Sequence, residues 1–172
     1  DAKFSCGTPT TGAGYLQFNG AVVKTPITAG QLGEQFSIVA TISVDGYNGG
    51  YLFGNNNTTN VGSKLQIKSG SPVFNIFNYN VSDSYDFTEY SGNVMQIVIN
   101  MGEEEAELFI NGDIEAKKTV ITNSYVKATD NLYIGGISNT CSNLFNGKIY
   151  DFIVYKGNLS SSAIEKNYSV DK

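Results

Sequence analysis

The densest cluster of ionisable side chains is Glu103-Glu104-Glu105-Ala106-Glu107, in which Glu103, Glu105 and Glu107 alternate. Retaining glycoside hydrolysis needs two carboxyls about 5–5.5 Å apart, and inversion about 6.5–9.5 Å. Strand positions two apart lie about 6.6 Å apart along the backbone, and positions four apart about 13 Å. Against that chemistry, Gly102 opens the run, which joins two apolar segments and so reads as a solvated hairpin turn. The chain has no Trp to stack on a sugar ring, no His and no Arg, so all eleven basic residues are Lys. Lack of imidazole removes Ser-His-Asp triads and His-ligated zinc. The expectation is a chain that is not an enzyme.

Binding chemistry is better represented. Sugar hydroxyls are held by amide and carboxylate partners beside an aromatic face, which Asn, Asp and Tyr supply. Two stretches concentrate them: Asn55, Asn56 and Asn57 with Tyr47 and Tyr51, and Tyr79, Asn80, Asp83, Tyr85, Asp86 and Tyr90. These are the candidate ligand residues. Exposed tyrosines serve protein interfaces equally well, and loops of Asn and Gly form turns with no ligand at all. A calcium ion takes six to eight oxygens. Asp45, Asp83, Asp86, Asp130 and Asp151 are dispersed, with Asp45 and Asp151 the candidate metal ligands. Asn56, Asn57, Asn80 and Asn158 open Asn-x-Ser/Thr triplets, glycan acceptors only in a secreted eukaryotic chain.

Charge narrows the partners. Sixteen acidic residues give a formal charge of -5, so no nucleic-acid partner is expected. No apolar run approaches the roughly 20 residues of a membrane-spanning helix, and no membrane insertion is expected. Cys6 and Cys141 match no metal-ligand spacing. They form either one disulfide, contributing roughly 4–5 kcal/mol by loop closure, or two free thiols. The chain opens on Asp1 rather than Met, as a processed form or an excised module would.

The elements that must position these residues are mostly strands. Phe36, Ile38, Ala40, Ile42 and Val44 alternate with Ser37, Val39, Thr41 and Ser43, which predicts a strand with one buried face. Similar short strands are predicted at 15–18, 51–54, 64–68, 73–77, 94–100, 106–110, 114–121, 131–136 and 148–155. Ser69-Gly70-Ser71-Pro72 reads as a hairpin turn, and 78–93 as a long polar stretch. A short helix follows, capped by Ser160 or Ser161, with Leu159, Ile164 and Tyr168 on its inner face. About ten strands at this spacing predict one all-β domain over 1–172, an antiparallel two-sheet jelly-roll sandwich with a short C-terminal helix.

The stretch Leu144-Phe145-Asn146-Gly147-Lys148-Ile149-Tyr150-Asp151-Phe152-Ile153-Val154-Tyr155, running on to Leu159-Ser160, resembles the closing strand of laminin-G-like and pentraxin-like domains. These belong to the concanavalin A-like lectin/glucanase superfamily. Tyr15 to Gly20 resembles that family's opening strand, Leu108-Phe109-Ile110-Asn111-Gly112 its "Leu-Tyr-Val-Asn-Gly" strand, and Asn131 to Gly136 its "Leu-x-Ile-Gly" strand. The resemblance implies that first and last strands lie together, which brings Cys6 and Cys141 within reach of a bridge. It also implies a structural calcium in many relatives, and in some glucanases a Glu-x-Asp-x-Glu strand that the glutamate run here partly matches. The resulting expectation is a non-catalytic carbohydrate-binding or adhesion module, extracellular, on a cell surface or on a virion. Its partner would be a glycan or surface glycoconjugate. The alternative is a structural or protein-binding part of a phage or cell-surface assembly, with a glycoside hydrolase third.

Overall fold

The alternation at 36–44 becomes a nine-residue strand, β5 (Phe36–Val44), at the centre of one sheet. Its five predicted core residues are each no more than 1% exposed. In this computed structural model the described residues are 3–4, 6–46, 49–55, 62–76, 79–82, 92–119, 131–138 and 140–170. Two antiparallel sheets face one another across the core, the jelly-roll sandwich expected. The sheet holding β5 runs β12 (Asp113–Thr119), β11 (Glu105–Ile110), β10 (Met95–Met101), β5, β14 (Asn146–Lys156), β3 (Tyr15–Asn19) and β2 (Thr10–Gly12). We call it the inner sheet. The second, outer sheet runs β1 (Lys3–Phe4), β4 (Val23–Thr28), β13 (Asn131–Ile134), β6 (Gly50–Gly54), β7 (Ser63–Lys68), β8 (Ser71–Ile76) and β9 (Tyr79–Ser82). A single turn, α1 (Ala29–Leu32), follows β4, and α2 (Ser161–Val170) closes the chain.

The closing strand pairs with the opening one, Gly147 opposite Phe18 and Ile149 opposite Leu16. Gly147 shows why the Phe-x-Gly pattern stands there. Its φ is +155°, and a Cβ would run into the carbonyl of Ser43, while Phe145 beside it is wholly buried. Only glycine meets both demands. Cys6 and Cys141 are bonded, with Cα atoms 5.5 Å apart, so the choice between bridge and free thiols resolves as a bridge.

One expectation needs correction: β5 is buried on both faces. Ser37 and Ser43 are no more than 1% exposed, and Val39 packs with Val98, Phe109 and Ile164 beneath Tyr155 and Leu159. The cover is the C-terminal segment. Ser160 Oγ accepts the Ala163 N–H at 3.2 Å and caps α2, which seats Ile164 wholly out of solvent. Burying that side chain contributes roughly 1.5–3 kcal/mol.

A buried clasp holds the segment down. The Ser37 hydroxyl donates to Asn100 Oδ1 at 2.7 Å, and the Leu159 N–H reaches both Ser37 Oγ and Asn100 Oδ1 at 2.9 Å. Asn100 Nδ2 donates to the Leu159 carbonyl at 3.0 Å. The alternation pattern was legible, but a helix packing back onto the second face is a tertiary event that local spacing does not encode.

Four strands were not predicted: β1, β2, β4 and β9. β4 carries Pro26, which has no N–H to give a ladder and so argues against a strand. It is tolerated because the β4–β13 ladder passes over it, the register shifting between Asn131 opposite Thr28 and Tyr133 opposite Lys24. β9 lies inside the polar stretch 78–93 and has one inward apolar residue at full burial, Val81.

Candidate binding site

The glutamate run forms the predicted hairpin. The Gly102 N–H donates to the Glu105 carbonyl at 2.8 Å, with Glu103 and Glu104 exposed in the turn. Glu105 and Glu107 do not stand across a cleft from each other. Lys117, on the adjacent strand, puts its ammonium 2.6 Å from Glu105 and 3.3 Å from Glu107. Glu107 also accepts from Asn100 Nδ2 at 2.9 Å. Hydrogen bonds that the Lys117 ammonium donates to these two carboxylates, Glu105 first, raise its pKa above its ordinary 10.5. The cluster therefore fixes the β11–β12 pair and reaches through Asn100 into the clasp.

The polar chemistry that remains open lies on the outer sheet. Because side chains alternate, Leu65, Ile67, Phe74, Ile76 and Val81 enter the core while Lys64, Gln66, Asn75 and Asn80 face outward. Register aligns them into rows. Gly54, Lys64, Asn75 and Asn80 lie opposite one another across β6, β7, β8 and β9, and Tyr51, Gln66, Val73 and Ser82 form the adjacent row. The Lys64 ammonium sits 5.7 Å from the centroid of the Tyr51 ring, within cation–π range. Asn75 donates to the Asn80 side chain across the β8–β9 pair. Lys64, Tyr51, Gln66 and Asn75 are half-buried, and Asn80 and Ser82 exposed, so among the described residues this face is a shallow plate.

Tyr51 is held from behind. Its N–H donates to the Asn143 carbonyl at 2.8 Å, and Leu144 makes a parallel bridge with it. Gly50 allows that approach, since its φ is +73° and a Cβ would strike the Leu144 carbonyl. The 141–144 segment is itself anchored through Cys141 to Cys6.

Of the candidate ligand residues, Tyr51 and Asn80 lie on this plate. Two others do not. Asn55 is wholly buried, its Oδ1 accepting the Ser63 N–H at 2.7 Å while its own N–H donates to the Ser63 carbonyl at 2.9 Å. It closes the neck of the loop between β6 and β7 and is not open to a ligand. Tyr79 pairs with Ile76 and packs against the core from the rim, so its ring is no outward platform. Tyr47, Asn56, Asn57, Asp83, Tyr85, Asp86 and Tyr90 lie outside the described residues, as does Asp130.

The metal candidates are also separated. Asp45 accepts from Gln17 Nε2 at 3.0 Å, whereas Asp151 lies opposite Thr41, four residues back along the strand. That places them about 13 Å apart by the strand rise, too far to share an ion whose ligands stand at about 2.3–2.6 Å. Among the described residues no three His, Cys, Asp or Glu side chains group to hold a metal.

Lys64, Gln66 and Asn75 were missed as site residues although their signal was present. They are the outward members of the two alternating segments at 64–68 and 73–77, and outward polar residues on neighbouring strands share one face whenever the strands pair.

A laminin G family model, described as the concanavalin A-like lectin/glucanases superfamily, matches residues 19–165. The chain belongs to that superfamily. Comparison with curated proteins gives no sequence match. Among solved structures, this superfamily member is similar to "Binding domain of Botulinum neurotoxin DC in complex with rat synaptotagmin II", at TM-score 0.74 and 17% identity, covering 100% of this chain and 47% of that one. It is similar to "Binding domain of Botulinum Neurotoxin DC in complex with SialylT" at TM-score 0.71 and 15% identity, with coverage of 100% and 47%. A third, "Crystal structure of botulinum neurotoxin serotype D binding domain", aligns at TM-score 0.67 and 19% identity, covering 91% and 42%. The superfamily domain therefore spans about half the length of these chains, and the likeness at such identity is one of fold. Among the described residues no helix is long and apolar enough to cross a membrane.

Proposed function

We propose that this domain is a non-catalytic, extracellular binding module that lays a glycan across the outer face of β6, β7, β8 and β9. The observation that carries the reading is the pair of aligned rows on that face. They present a tyrosine ring, an ammonium and three amide side chains on one face of the sheet. The amides can donate to and accept from hydroxyls, the ammonium can donate, and the Tyr51 ring offers an apolar surface to a sugar face. A bridged cysteine pair suits an oxidising compartment, whether a secreted protein, a cell surface or a virion. The reading calls on no cofactor and no calcium.

The second reading is a protein-binding or structural part of a surface or phage assembly. It is favoured by the flatness of the plate and by one similar binding domain being described in complex with rat synaptotagmin II. A glycan array separates the two. Saturable binding to a restricted set of glycans, lost in the Tyr51→Ala, Asn75→Ala double variant with the fold intact, supports the first. No glycan above background, with affinity for a protein of the parent assembly lost in the same double variant, replaces it with the second.

A further inference from the structure

Charge in this chain is sorted by sheet. Sixteen acidic residues outnumber eleven basic ones. Yet no Asp or Glu stands in any of the outer sheet's seven strands, which carry Lys3, Lys24, Lys64 and Lys68. The carboxylates that do stand in strands, Glu105, Glu107, Asp113, Glu115 and Asp151, all belong to the inner sheet. Leu65 and Ile67 enter the core, so Lys64 and Lys68 face outward, about 13 Å apart by the strand rise. Val23 enters the core beside Lys24, which lies opposite Tyr133, itself opposite Gly54 in the Lys64 row.

Lys64 is the central one of these cations. Gly54, opposite it, has no side chain, and Ile137 occupies the place a Cβ would take there. Asn75 lies opposite Lys64 on its other side, and Gln66 two residues along the strand. The ammonium stands 5.7 Å from the Tyr51 centroid and makes no ion pair among the described residues. A half-buried ammonium covered by a neutral sugar would lose water and gain no counter-charge, which costs free energy. An anionic group on the sugar removes that cost, and the amide N–H groups of Gln66 and Asn75 can donate to its remaining oxygens.

We infer, building on the glycan reading of this face, that its ligand is an acidic glycan, whose carboxylate or sulfate meets Lys64 while a sugar ring lies on Tyr51. Lys64 is then the specificity-determining residue. It separates acidic from neutral glycans of the same backbone, whereas Tyr51 serves both. Lys24 and Lys68 stand too far off to share that anionic group, and they raise the local potential for further acidic sugars along the chain.

The test is a glycan array on which each acidic glycan stands beside its uncharged form, carboxylates as methyl esters and sulfates desulfated. Calorimetric titration of the strongest pair follows. Wild type is expected to prefer the acidic member about tenfold, and the arm carrying the preference tells carboxylate from sulfate. Lys64→Met should weaken the acidic member about five- to tenfold and leave the neutral one unchanged, bringing the pair near parity. Lys64→Arg should keep the preference. Lys166→Met, the same loss of charge on α2, should change nothing. Equal binding of both members by wild type, lost in the Tyr51→Ala, Asn75→Ala variant, would overturn the acidic ligand and leave glycan binding standing. No binding to any glycan would overturn both. Equal losses in Lys64→Met and Lys166→Met, or equal affinity for inorganic polyphosphate, would reveal a response to net charge alone and overturn the proposal too.

Discussion

Replacing both Cys6 and Cys141 with serine should lower the midpoint of thermal unfolding by about 14 °C. The two residues are 135 apart in sequence, and the loop-closure relation then gives about 17 cal/mol/K, or about 5 kcal/mol at 25 °C. Unfolding entropy of about 2.1 cal/mol/K per residue near 60 °C amounts to about 0.36 kcal/mol/K for 172 residues, and the quotient is the expected shift. Engineered bridges often deliver less than this relation, but loss of a native one typically costs about 2–5 kcal/mol. Differential scanning calorimetry of the double variant, and of wild type in reductant, should give the same lowered midpoint and unchanged far-ultraviolet dichroism. There is a local consequence as well. Cys141 leads into Asn143, whose carbonyl holds the Tyr51 N–H, so amide exchange at Tyr51 should quicken in the variant. A shift below about 3 °C would refute the reasoning that the bridge acts by restricting a long unfolded loop.

Asn100→Ala strips the clasp: the Leu159 carbonyl loses its side-chain donor, the Ser37 hydroxyl loses its acceptor on Asn100, and the Leu159 N–H is left on Ser37 Oγ alone, at about 1–3 kcal/mol per orphaned buried group. Urea denaturation should show a loss of about 2–4 kcal/mol with an unchanged slope. Gly50→Ala forces a non-glycine residue to φ +73° against the Leu144 carbonyl, and a comparable loss of about 2–4 kcal/mol should accompany weakened glycan binding through Tyr51. The Lys117 pKa is raised in the folded state, so its contribution is complete below pH 10.5 and is lost as pH climbs through the raised value. Melting midpoints between pH 9 and 12 should therefore fall more steeply for wild type than for Lys117→Met, and parallel curves would contradict the assignment.

The architecture was largely legible because its signals are local and redundant. Period-two alternation at 36–44 and 64–68 marked strands, and Phe145-Asn146-Gly147 marked the start of the closing strand. The elements missed are those whose cause is not local. Pro26 sits in a strand where the β13 ladder bulges past it, and the second buried face of β5 exists only because α2 folds back upon it. Candidate-site residues were less legible. Asn55 and Tyr79 have the composition of a ligand loop, yet their side chains serve the loop neck and the core. Lys64, Gln66 and Asn75 look like ordinary polar residues until register places them in two adjacent rows on one face. The pairing of Glu105 and Glu107 with Lys117 likewise depends on a register that the glutamate spacing does not contain.

The central claim is that the outer face of β6 to β9 is the ligand surface, and it is tested most directly by chemical-shift mapping of backbone and side-chain amides during titration with an array-selected glycan. Perturbations are predicted to centre on Tyr51, Lys64, Gln66, Asn75 and Asn80, with saturation matching the affinity on the array. Saturating shifts elsewhere on the domain, with these five residues unmoved, would contradict the account.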